Sequence, residues 1–118
     1  MSMQRLAGAC HCGAVRYEVE ADLGQTIQCN CSHCETKGFI LTFTPVENFR
    51  LLSGEARLTD YRFNKHKIAH RFCAICGAQP LAFATSPDGT PMAAINLRCV
   101  EGIDLAALTP QKFDGRSL

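Results

Sequence analysis

Eight cysteines stand in this chain of 118 residues, and seven of them are clustered. They fall as Cys10-His11-Cys12, as Cys29-Asn30-Cys31-Ser32-His33-Cys34 and as Cys73-Ala74-Ile75-Cys76, with Cys99 alone. Thiolates at these spacings are metal ligands. A C-x-x-C turn aims two sulfurs at one ion, and Gly77 behind Cys76 tolerates the positive φ at which such a turn closes. Gly13 stands in the same relation to Cys12. Two such pairs, Cys10/Cys12 and Cys73/Cys76, complete a tetrahedral four-thiolate zinc site, which in a small domain contributes folding free energy and staples the strands carrying it. The competing reading of the pairs is buried free thiols or a redox couple.

Cys29, Cys31 and Cys34 offer three more thiolates within six residues. A short irregular segment can wrap one ion with all three, leaving the fourth position to water, a substrate or another side chain, and an open position is the mark of a catalytic zinc. Three thiolates on Zn²⁺ leave a net charge of −1, so such an ion activates water poorly beside a three-histidine site. A soft thiolate suits the fourth position better. The chemistry favoured is therefore thiol chemistry, with zinc holding a substrate sulfur as thiolate at neutral pH. His33 and Cys99 are the two residues that would instead close the site and make it structural. His33 has two further readings, a proton shuttle beside an open metal or a solvent-facing loop residue. His11 is expected to point away from the metal, and Cys99 to belong to the core. From Arg62 to Arg71 the chain is locally basic, with Lys65, His66, Lys67 and His70, which reads as a solvated strand face or as an anchor for an anionic ligand.

The elements that must position these residues are mostly β. Val15, Tyr17 and Val19 interleave with Arg16, Glu18 and Glu20, the alternation of a half-buried strand. Gly38 to Thr44 reads as a more fully buried strand. Further strands are expected at Phe49 to Ser53, Ala56 to Phe63, Lys67 to Phe72, Leu81 to Thr85 and Met92 to Arg98. Ser53-Gly54-Glu55 and Ser86-Pro87-Asp88-Gly89 are turns between them. The one expected helix is a turn or two after Asp104, which caps Leu105-Ala106-Ala107-Leu108 before Pro110. Length and the lack of a linker predict one domain over residues 1–118. A net charge of +1 and 19% charged residues mark no strongly basic nucleic-acid binder. Neither a signal-peptide run nor a membrane-spanning stretch is legible, so the expected compartment is the cytoplasm, where thiols stay reduced.

In their order, Gly8-Ala9-Cys10-His11-Cys12-Gly13, Cys29-x-Cys31-x-x-Cys34, Phe72-Cys73-x-x-Cys76-Gly77 and Asn96-Leu97-Arg98-Cys99 resemble the glutathione-dependent formaldehyde-activating enzyme family, which includes the centromere protein V type. The resemblance runs from about Gly8 to the Phe113-Asp114-Gly115-Arg116-Ser117 tail. It implies a β-tent fold, a structural zinc on Cys10, Cys12, Cys73 and Cys76, and a catalytic zinc on Cys29, Cys31 and Cys34. It also implies a carbon–sulfur lyase that adds glutathione reversibly to formaldehyde, giving S-hydroxymethylglutathione. Arg62, Lys65, Lys67 and Arg98 are candidates to hold the carboxylates of such a thiol. Two other readings compete: a non-catalytic zinc module that binds a protein or nucleic-acid partner, and a redox role for Cys99 with Arg98 depressing its pKa. Oligomeric state has no signal in the sequence.

Overall fold

The computed structural model describes residues 3–62 and 68–114. Tyr17, Val19 and Ala21 are buried while Arg16, Glu18 and Glu20 face outward or stand half-buried, so the predicted alternation becomes a strand with one core face. In chain order the strands are β1 (Gln4–Ala9), β2 (Arg16–Ala21), β3 (Ile27–Cys29), β4 (Leu41–Pro45) and β5 (Phe49–Ser53). They continue as β6 (Leu58–Tyr61), β7 (Ala69–Cys73), β8 (Leu81–Thr85), β9 (Pro91–Asn96) and β10 (Gln111–Phe113). Among the described residues one α-helix, α1 (Ser32–Lys37), follows β3. None of these elements is a helix long and apolar enough to cross a membrane.

Two sheets result, as the mostly β reading expected. The smaller runs β1-β2-β5, antiparallel throughout. The larger runs β10-β3-β4-β9-β8-β7-β6, antiparallel except that β10 lies parallel to β3. Leu6, Tyr17, Val19 and Ala21 of the small sheet meet Leu81, Ala93 and Ile95 of the large one, and Ile40, Leu97 and Val100 complete that core. Gly8 belongs to this contact as well. Its face lies against the Tyr17 ring so closely that a Cβ there would overlap the ring, a physical reason for glycine two residues before Cys10.

Several expectations need correcting. The strand expected from Gly38 begins only at Leu41, because Gly38 adopts φ 71° and closes α1 instead. Nor is β4 buried on both faces: Phe43 is exposed, while Thr42 and Thr44 point inward. Those threonines are tolerated inside because Thr42 Oγ1 donates to the carbonyls of Asp22 and Gln25, and Thr44 Oγ1 to that of Glu20. The helix expected after Asp104 is a single 3₁₀ turn, Leu105–Ala107, with Asp104 capping it as foreseen. Ala56 and Arg57 lie in a 3₁₀ turn ahead of β6, and Arg98 in one after β9. Phe63 and Lys67, the outer ends of two expected strands, lie outside the described residues.

Candidate metal centres

The first centre forms where β1 and β7 end. Cys10 and Cys12 occupy the turn from β1 to β2, Cys73 ends β7, and Cys76 follows in the turn that Gly77 closes at φ 79°. The four sulfurs lie within 4.8 Å of one another. Cys10 Sγ is 3.6 Å from Cys12 Sγ, which is 3.7 Å from Cys73 Sγ. A tetrahedral zinc with bonds of about 2.3 Å has sulfur–sulfur edges of about 3.8 Å, whereas a disulfide would need about 2.0 Å. The donor set thus fits a zinc-sized ion.

Local backbone supports the anions. The Val15 N–H donates to Cys10 Sγ at 3.3 Å and the Ile75 N–H to Cys73 Sγ at 3.4 Å. Backbone N–H groups of Ala78 and Cys12 push the Cys76 thiol down to about 6. Cys12, in spite of the Ala14 N–H, is pushed up to about 11 by desolvation and the crowding of Cys10, Cys73 and Cys76. Four converging thiols cannot all ionise without a cation among them. Val15, Leu58 and Ala78 pack around Cys10 and Cys73, and His11 faces solvent as expected.

The second centre is built on α1. Its segment is not irregular, which corrects the sequence reading. Cys29 ends β3, Cys31 caps the helix and Cys34 lies buried inside it. The capping role usually taken by an oxygen falls to sulfur: Cys31 Sγ accepts the Cys34 N–H at 3.3 Å, and Cys29 Sγ accepts the Cys31 N–H at 3.4 Å. At the other end, the N–H groups of Gly38 and Phe39 return to the Cys34 carbonyl. The three sulfurs lie within 4.8 Å of one another. Burial and the neighbouring Cys31 push the Cys34 thiol far up, while Cys31, against its own burial, is held down by the Cys34 N–H.

Neither expected closing residue joins this cluster. Cys99 Sγ donates instead to the Gln79 carbonyl and accepts from Asn96 Nδ2, and burial, with Cys10 and Cys76 nearby, pushes it up to about 11. His33 turns its ring onto Tyr61, Phe39 and His70. Among the described residues the three thiolates have no fourth partner of the kind that surrounds the first centre.

A cavity of about 440 Å³ opens beside Cys29. The end of β3 supplies Gln28, Cys29 and Asn30, α1 and its cap supply Glu35, Gly38 and Phe39, and β10 supplies Lys112, Phe113 and the adjoining Asp114. Asn30 Nδ2 donates to Asp114 Oδ1 at 3.0 Å, tying two of these walls together.

The sequence pattern of the glutathione-dependent formaldehyde-activating enzyme matches residues 5–112, nearly the whole chain. The chain belongs to that family. Its fold is also similar to the crystal structure of a Rhodobacter sphaeroides protein from a structural-genomics programme. The two share a TM-score of 0.79 and 29% identity, over 90% of this chain and 97% of that one.

Both cysteine clusters could hold a metal in this family member, and all-thiolate donors suit zinc. Of the cations considered from the sequence, Arg62 is paired with Asp60 at 3.5 Å, and Lys65 and Lys67 lie outside the described residues, as does His66. Arg98 stands beside the cavity, its Nε donating to the Gly38 carbonyl at 2.7 Å. His70 departs furthest from expectation: it lies not on a solvated face but buried against His33, and burial and that neighbour push its pKa down to about 4. Lys112 was not singled out. The only available signal was that the family resemblance extends into the Phe113-Asp114 tail beside it.

Proposed function

We propose that the chain catalyses the reversible addition of a small peptide thiol such as glutathione to formaldehyde, in the cavity beside Cys29, Cys31 and Cys34. In this reading Cys10, Cys12, Cys73 and Cys76 hold a structural zinc, and the three-cysteine centre a catalytic one. The observation that carries it is the pairing of three converging sulfurs, with no fourth donor among the described residues, and a cavity that one of them lines. Zinc held by those three thiolates would supply a Lewis acid that keeps a substrate thiol deprotonated near neutral pH.

The chain's own residues then bind and orient. The substrate sulfur forms a bond to the aldehyde carbon, the carbonyl π pair moves to oxygen, and the proton given up by the thiol ends on that oxygen, so the product is a hemithioacetal. Gln28 and Asn30 present amides to a peptide backbone, and Phe39 with Phe113 supplies apolar surface for its carbon chain. Arg98 and Lys112 flank the cavity as cations for the substrate carboxylates. Holding thiol and aldehyde together contributes through proximity, the larger part of what a mild addition needs. Thiolate clusters of this kind belong in a reducing compartment, the cytoplasm.

A non-catalytic binding module would require the second centre to be closed by protein, and neither His33 nor Cys99 closes it. NMR exchange spectroscopy of glutathione with formaldehyde tests the proposal: wild type should accelerate the exchange and Cys34→Ser should not. Equal rates with the two proteins would remove this activity from consideration.

A further inference from the structure

The helix that contains Cys34 and is capped by Cys31 is six residues long, too short to be stable by itself. Its ends are capped by Cys31 and Gly38, both parts of the same segment, while Arg98 reaches the Gly38 carbonyl and Cys34 packs on Leu41 of β4. His33 adds the attachment to β6 and β7. Its ring stacks on Tyr61 of β6 with centroids 5.6 Å apart and meets the His70 ring of β7 at 4.1 Å.

His70 is itself held firmly. It is 5% exposed, and its Nδ1 faces Gln79 Nε2 at 3.3 Å. An amide NH₂ only donates, so Nδ1 is the acceptor and the ring hydrogen sits on Nε2. Gln79 is buried too, and its carbonyl accepts from Asn96 Nδ2 at 2.9 Å at the end of β9. Three buried polar residues, two on the large sheet and Gln79 between β7 and β8, thus form a frame, costly to bury compared with apolar residues, where the sheet meets the ring that α1 presents.

We propose that His70 is a positioning residue of the three-cysteine centre: its contact with His33 sets where α1 places Cys31 and Cys34. The inference rests on the reading that Cys29, Cys31 and Cys34 hold zinc. Removing a group that orients metal ligands typically lowers metal affinity 10–100-fold.

The test titrates the zinc-loaded full chain with a chromophoric chelator and reads zinc release in two phases, the weaker one identified by its absence in Cys34→Ser. In His70→Ala the weaker phase should move by about 10–100-fold towards easier release while the tighter phase stays in place. His70→Phe, which keeps a ring against His33, should retain most of the wild-type value. An unmoved weaker phase in His70→Ala overturns the proposal, and so does an equal shift of both phases or a His70→Phe protein that behaves like His70→Ala. If wild type shows no second phase, the reading of the three-cysteine centre falls first and this inference falls with it.

Discussion

Arg98 lays its guanidinium across the end of α1, with Nε donating to the Gly38 carbonyl at 2.7 Å. Among the described residues it has no acidic partner, unlike Arg16, Arg50, Arg62 and Arg71. The bond to Gly38 orients the fork while leaving its two Nη groups for an anion at the cavity mouth. Arg98→Ala should therefore raise KM for glutathione about fivefold, since an exposed charge pair is worth up to about 1 kcal/mol. The same substitution should leave a carboxylate-free thiol such as mercaptoethanol unaffected. Steady-state kinetics with the two thiols measures the difference, and the glutathione effect should shrink as salt rises.

Metal analysis should separate the centres. If each cluster in the folded chain takes one ion, Cys34→Ser should lose about half of the zinc and stay folded. Cys73→Ser should behave differently. A structural zinc contributes on the order of 10 kcal/mol at neutral pH, as much as the whole stability of a typical domain. That variant should be unfolded or insoluble, as circular dichroism and emission spectroscopy of metal content would show.

Tyr17 is 1% exposed, and its hydroxyl has no hydrogen-bond partner among the described residues. An orphaned buried hydroxyl is a cost, so Tyr17→Phe should stabilise the protein by about 1 kcal/mol, or raise Tm by about 4 °C. Gly8→Ala acts on the same ring in the opposite sense. The added methyl has no room beside Tyr17 and should cost about 2–3 kcal/mol. Thermal melts of the two variants check both signs.

Acid should weaken the fold through His70. Its pKa is pushed down to about 4 by burial and by His33, against about 6.5 in an unfolded chain. Well above pH 6.5 both states leave the ring neutral and its contribution is fully present. As pH falls from 6.5 towards 4 the unfolded chain binds a proton that the folded one refuses, and about 3 kcal/mol is lost. Urea midpoints at pH 7 and pH 5 should fall further apart in wild type than in His70→Phe, which has nothing to titrate there.

What could be read from the sequence was whatever acts locally. The cysteine pairs, the glycines behind them and the alternation of Tyr17 and Val19 follow from turn geometry and strand period, and the structure keeps them. Helix α1 was missed because a six-residue helix carries no apolar period, and because its cap is a cysteine where Ser, Thr, Asp or Asn would have been the signal. His70 was misplaced for another reason. Beside Arg62, Lys65 and Lys67 it looked like part of a basic face, and only the pairing of β7 between β6 and β8 turns it inward towards Gln79. The cavity was out of reach, since β10 meets β3 across more than eighty residues of chain.

That last pairing makes the two sides of the cavity mechanically unequal. β10 is three residues long, lies at the edge of the large sheet and joins it through β3 alone, with Gln111 N–H on the Thr26 carbonyl and Asn30 N–H on the Phe113 carbonyl. Detaching so short a strand exposes little apolar surface and leaves β8 and β9 in place. One wall of the cavity is thus held by a handful of amide bonds at the sheet edge, apart from the framework that carries the four-cysteine cluster.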